Sequence, residues 1–68
     1  MLVPYGSVLP GDVVELWDEP YLVVGRPRED DYHVDVPVFS LVRGGRETLV
    51  YSYGADEFGC ATVLWRAS

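Results

Sequence analysis

The spacing Asp31-x-His33-x-Asp35 sets three potential metal ligands two residues apart. On an extended strand they share one face, where an imidazole and two carboxylates could hold a divalent ion. The same residues also make a charged strand edge, which keeps a strand from pairing with its neighbours, and no metal is expected. Cys60 and His33 are the pair from which a nucleophile and a base could be made. Gly59-Cys60-Ala61 reads instead as a small, packed entry to a strand, where a lone thiol behaves as an apolar residue. Arg43 and Arg46 flank a Gly-Gly pair and could grip a phosphate or carboxylate as a fork. No paired acid and base, activated nucleophile or phosphate-cradling loop is found, so no catalytic residue and no cofactor is assigned.

These groups must be positioned by strands. No window carries apolar residues at i, i+3, i+4 and i+7 for the length of a helix, whereas Val, Tyr, Thr, Trp and Phe fill short runs bounded by Gly, Pro and Asp. Five strands are expected in one domain over residues 1–68. The first covers Asp12 to Trp17, with Val14 and Leu16 on one face. Asp18-Glu19-Pro20 turns the chain into a second strand, Tyr21 to Arg26. Residues 26–31 form a polar loop, because Pro27 and the charges resist pairing. The third strand runs from His33 to Val42 through Pro37, and the fourth from Arg46 to Tyr53. A single 3₁₀ turn over 54–59 precedes a last strand, Ala61 to Arg66.

Gly44-Gly45 predicts a two-residue hairpin, since the primed turns need positive φ. Leu41 then faces Thr48 and Phe39 faces Val50, and the opposite face holds Val38, Val42, Leu49, Tyr51 and Tyr53. Both faces are apolar, which is unusual where one side of a sheet should meet water. A barrel interior can bury one face, and the other calls for a partner. Docking by such a face should survive high salt and fail on Tyr51→Ala.

Composition narrows the partner. The chain is 68 residues long with net charge −6, eleven acids against five arginines, and no Lys, Ile, Asn or Gln. Nucleic-acid binders neutralise phosphates with Lys and Arg, so direct binding of nucleic acid is not expected. Lys, Ile and Asn use AT-rich codons, which points to a GC-rich genome, an actinobacterium or one of its phages. One cysteine rules out an internal disulfide and a cysteine-based zinc site. No apolar run reaches the roughly 18 residues of a membrane span, and the start is interrupted by Pro4 and Pro10 without a basic residue. A cytoplasmic protein is expected. A chain this short buries only about 60% of its unfolded surface, so self-association as a homodimer is one way to gain stability. Trp65, beside Val63, is expected in the core. Trp17 and Tyr21 flank the acidic turn Asp18-Glu19 and are expected to touch a partner, since Trp and Tyr dominate interface hot spots.

"PGDVV", the return on "PYLVVG", and a short last strand resemble an SH3-like small β-barrel, a likeness that spans nearly the whole chain as a pattern. The first hairpin is similar to that of plasmid-addiction toxin ribonucleases. Those toxins place a longer loop with a catalytic Arg between the two strands, where this chain has Trp17-Asp18-Glu19-Pro20 and no base. The resemblance therefore implies the barrel without the ribonuclease. Similar KOW barrels carry basic loops that this chain lacks. The function expected is a non-enzymatic regulatory module, of the kind a phage directs at a host protein. It docks on a protein partner, or on itself, through an aromatic and apolar sheet face. The alternative is an acidic nucleic-acid mimic that blocks a DNA- or RNA-binding enzyme, for which the two acidic clusters (Asp12, Glu15, Asp18, Glu19 and Glu29, Asp30, Asp31, Asp35) would serve.

Overall fold

A computed structural model describes residues 1–52 and 59–66 of the chain. Among these residues there are seven strands: β1 (Leu2–Pro4), β2 (Val13–Leu16), β3 (Glu19–Val23), β4 (Arg28–Glu29), β5 (His33–Ser40), β6 (Gly45–Ser52) and β7 (Cys60–Trp65). They form one antiparallel sheet in the order β1-β7-β2-β3-β5, with β6 on the far edge of β5 and β4 continuing the line of β3 along β5. The sheet curls into a half-barrel around a valine-rich core in which Val14, Val34, Val36 and Val38 are fully enclosed. Among the described residues no helix is long and apolar enough to cross a membrane.

All the expected strands are present with adjusted ends, and two further strands join them. β1 is three residues long and β4 two, both too short for an alternation to register in sequence. The first expected turn is displaced. β2 ends at Leu16 and β3 begins at Glu19, so Trp17 and Asp18 alone make the turn, and Pro20 pairs with Glu15 inside the ladder. Pro20 is tolerated because it sits at the end of the β3–β5 pairing, which starts at Tyr21 opposite Ser40. Pro37 is tolerated for a related reason. It occupies the gap on β5 between its β3 partners (38–40) and its β4 partners (34–35), where only Val24 N–H donates to its carbonyl, at 3.0 Å.

The β5–β6 hairpin corrects the expected register. Ser40 pairs with Gly45, Phe39 with Arg46 and Val36 with Leu49, leaving Leu41-Val42-Arg43-Gly44 as a four-residue loop. Ser40 decides this. Its Oγ accepts the Arg43 N–H at 2.9 Å and its carbonyl accepts the Gly44 N–H at 2.9 Å, while Gly44 supplies the positive φ of 71°. Leu41 and Val42 are therefore exposed loop residues rather than strand. The displacement is four residues, an even number, so the division of side chains between faces is unaffected. What changes is which face is inside. Val38, Leu49 and Tyr51 belong to the core, and the outward face of the hairpin carries Pro37, Phe39, Thr48 and Val50.

Tyr5, which follows β1, stacks on Tyr51 of β6 with centroids 4.5 Å apart and an interplanar angle of 21°. This contact brings the chain after β1 against β6, two strands at opposite ends of the sheet order, without a ladder between them. Trp65 does not enter the core. The β2–β7 register shifts between Val13 and Val14, and Trp65, opposite Val13 beyond that shift, is 59% exposed. Tyr53 and, apart from Gly59, the expected turn over 54–59 lie outside the described residues.

Candidate functional site

The β2–β3 turn places Trp17 with φ 51° and Asp18 with φ 64°. Two central residues with positive φ make a primed two-residue turn, which matches strand twist and is best served by Asn-Gly or Asp-Gly. A left-handed conformation costs an L-residue about 1–2 kcal/mol, and a bulky residue in it is a genuine outlier. Trp17 nonetheless occupies it with 90% of its surface exposed. The ring is thus held in solvent at an energetic cost to the backbone, and burial returns nothing for it.

Below the tip lies a charged network. The Arg43 guanidinium donates from Nε and Nη2 to the two Glu47 carboxylate oxygens at 3.0 Å, from Nη1 to Glu19 Oε2, and from Nη2 to the Tyr21 hydroxyl at 2.7 Å. Tyr21 in turn donates to Glu19 Oε2 at 2.8 Å, and the guanidinium lies 5.7 Å from the Tyr21 ring centroid. Hydrogen bonding from Arg43, then from Tyr21, holds the Glu19 carboxyl below its usual range. Four donor contacts from Arg43 are thereby used within the protein, so the expected Arg43–Arg46 fork is not available. Arg46 faces a separate concavity beside Val24, Pro37 and Thr48. Glu47 was the missed member, although its position four residues after Arg43 is a readable signal.

Two grooves meet at Trp17. One, of about 540 Å³, is lined by Leu16, Trp17 and Glu19 on the β2–β3 side and by Glu47, Leu49 and Val50 on β6. The other, of about 380 Å³, runs on between Glu15, Leu16 and Trp17 and the end of β6, with Tyr51 and Cys60 in its wall. Together they trace the seam where the half-barrel stays open. The Tyr51 hydroxyl is buried there without a hydrogen-bond partner among the described residues, and burial, followed by the neighbouring Tyr5 and Tyr21, pushes it up to about 12. Removing an unsatisfied buried hydroxyl without changing shape relieves its desolvation cost. Tyr51→Phe is therefore expected to raise stability by about 1 kcal/mol, as read from a denaturant midpoint with unchanged slope. A lower midpoint would show that the hydroxyl has a partner in solution.

The other predicted groups are brought together only in part. His33 Nδ1 lies 3.3 Å from Asp30 Oδ1 and its Nε2 3.3 Å from Asp35 Oδ1, neither with hydrogen-bonding geometry. The carboxylate drawn to His33 from the loop is Asp30, not Asp31, because Asp30 Oδ1 also accepts the Tyr32 and His33 backbone N–H groups. Those bonds, Tyr32 first, hold the Asp30 carboxyl below its usual range. Cys60 opens β7 opposite Pro4. Of the residues expected to meet a partner, Trp17, Asp18, Glu19, Tyr21 and Arg43 are brought together at one end of the seam. Val42 and Arg46 are exposed elsewhere on the hairpin, and Val38, Leu49 and Tyr51 are buried. No protein-family model, curated protein or solved structure matches the chain.

Proposed function

We propose that the chain is an SH3-like small barrel acting as a non-enzymatic protein-binding module, with its contact surface built around Trp17. The barrel reading is supported by the strand order. β2, β3, β5 and β6 meander in sequence, and β7 returns to the free edge of β2, which is how a five-stranded sheet begins to close on itself. β1 then adds to β7 as a sixth strand. The single observation that carries the binding reading is a tryptophan 90% exposed on a backbone that disfavours it. Strain of this kind persists where function requires it, and an exposed Trp is the residue most often found at interface hot spots.

The acidic-mimic alternative has fewer carboxylates to present than the sequence suggests. Asp12 is buried, and Glu19 and Glu47 share Arg43. The test is affinity capture from an extract of a GC-rich bacterium with the wild type and with Trp17→Asn, which suits the turn. A protein retained by the wild type and lost from the variant, at a level insensitive to moderate salt, is the expected result. An identical set of captured proteins from both would contradict the reading.

A further inference from the structure

β6 pairs with β5 along one side only. Among the described residues no backbone hydrogen bond from elsewhere reaches its other edge. That edge is eight residues long, and its last five, Thr48 to Ser52, contain no charged side chain and no proline. Sheet proteins normally blunt a long edge with charges, proline or a bulge, because its free N–H and C=O groups are a template for another strand. The chain after β1 meets β6 through the Tyr5–Tyr51 stack, and among the described residues no ladder forms between them. The edge borders the two grooves that meet at Trp17.

Charge decides what fits there. Among the described residues the Glu15 and Asp18 carboxylates have no ion-pair or hydrogen-bond partner, and Glu19 and Glu47 share the one guanidinium of Arg43. Four carboxylates thus stand against one cation around an exposed indole. A second copy would bring an identical acidic seam against this one, and like charges across an interface oppose association. A basic segment gains from every group present: carboxylates for its charge, and a Trp face, the strongest cation–π acceptor among side chains.

We propose that the seam binds an extended peptide segment bearing Lys or Arg, which pairs as an added strand along β6 and sets its basic side chain over Trp17 between Glu15 and Asp18. This rests on the protein-binding reading above and names the class of partner. Main-chain pairing supplies affinity, while alternate side chains supply specificity.

The experiment is selection of displayed random peptides of about nine residues, enough to span β6, against the whole chain. Enriched peptides are then synthesised and titrated into ¹⁵N-labelled protein. The expected result is enrichment of alternating apolar residues with at least one Lys or Arg, and slowed amide exchange confined to one alternate set of β6 residues between Thr48 and Ser52. Backbone N-methylation of the peptide in one alternate phase should weaken binding at least about tenfold, and in the other phase hardly at all, because only one set of peptide amides faces β6. Raising salt to 1 M should weaken it several-fold, since screening then acts within about 3 Å. Enriched peptides that shift Trp17 but not β6, or that tolerate methylation in both phases, would overturn strand addition and leave Trp17-centred docking standing. No enrichment overturns the peptide proposal, and the Trp17→Asn capture then decides separately whether the docking reading falls. Protected β6 amides in a peptide-free dimer would show that a second copy takes the edge and would equally overturn it.

Discussion

Asp12→Ala is expected to destabilise the fold by about 2–4 kcal/mol, although sequence presents Asp12 as one more surface acid. Its side chain is 2% exposed. Oδ2 accepts the Leu9 N–H at 2.8 Å, and the two oxygens take Arg66 Nε at 2.9 Å and Nη2 at 2.7 Å. The Asp12 backbone also bonds Leu9 and Val23. One residue therefore ties the turn before β2 to β3 and to the chain just past β7. Arg66 is partly exposed and can swing into water when Asp12 is lost, which keeps the cost below that of a fully stranded ion. The reverse variant is worse. Arg66→Ala leaves a buried carboxylate with only the Leu9 N–H, and is expected to destabilise more than Asp12→Ala at neutral pH.

The two variants also separate by pH. Hydrogen bonding from Arg66 is the largest cause holding the Asp12 carboxyl below 3.8, outweighing desolvation, which raises it. A depressed folded-state value contributes stability above the unfolded value and loses it as pH falls through the folded one. Wild type should therefore lose stability from about pH 4 downwards, and Asp12→Ala should show a flatter acid limb. Without Arg66, desolvation outweighs the remaining Leu9 bond and the folded value lies above the unfolded one. Arg66→Ala should then gain stability as pH falls through that raised value. Denaturant unfolding at a series of pH values checks this, and parallel acid limbs in all three proteins would contradict it.

Tyr51→Ala is expected to cost about 3–5 kcal/mol. The ring is 7% exposed, stacked on Tyr5, and part of the core formed with Val34, Val36 and Val38. Domains are stable by about 0.05–0.15 kcal/mol per residue, so this loss is comparable to the whole stability of so short a chain. The variant should show a collapsed melting transition and loss of near-ultraviolet dichroism. A folded Tyr51→Ala with a sharp transition would mean that Tyr51 lies on a surface. The substitution that an apolar-face docking model would use to abolish binding is thus a folding variant, and Trp17→Asn replaces it.

The faces of the β5–β6 hairpin were readable because alternation in Val34, Val36, Val38 and Leu49, Tyr51 depends only on parity. The turn was not, because Gly-Gly outweighed the Ser40 hydroxyl, which closes a four-residue loop three residues before the expected Arg43. At the first hairpin, Pro20 drew the expected turn towards itself, yet its missing donor falls just outside the β3–β5 ladder, which starts at Tyr21. Which face points inward was not legible, since both are apolar and only closure of the sheet decides. The Asp12–Arg66 pair spans 54 positions and has no local signature. Trp17 and Tyr21 were visible as a contact pair from residue type and turn position alone. The open β6 edge was not, because it depends on which strands fail to meet.

The central claim is that Trp17 is kept at the tip for contact with a partner and not for the fold. The most direct test is the thermal melt of Trp17→Asn against wild type. Little buried area is lost from a side chain that is 90% exposed, while relief of the left-handed backbone is worth about 1 kcal/mol. At this chain length that corresponds to a rise of about 4–8 °C, which is the outcome expected. A melting temperature that falls by the same amount would show Trp17 holding the barrel together, and would contradict the account.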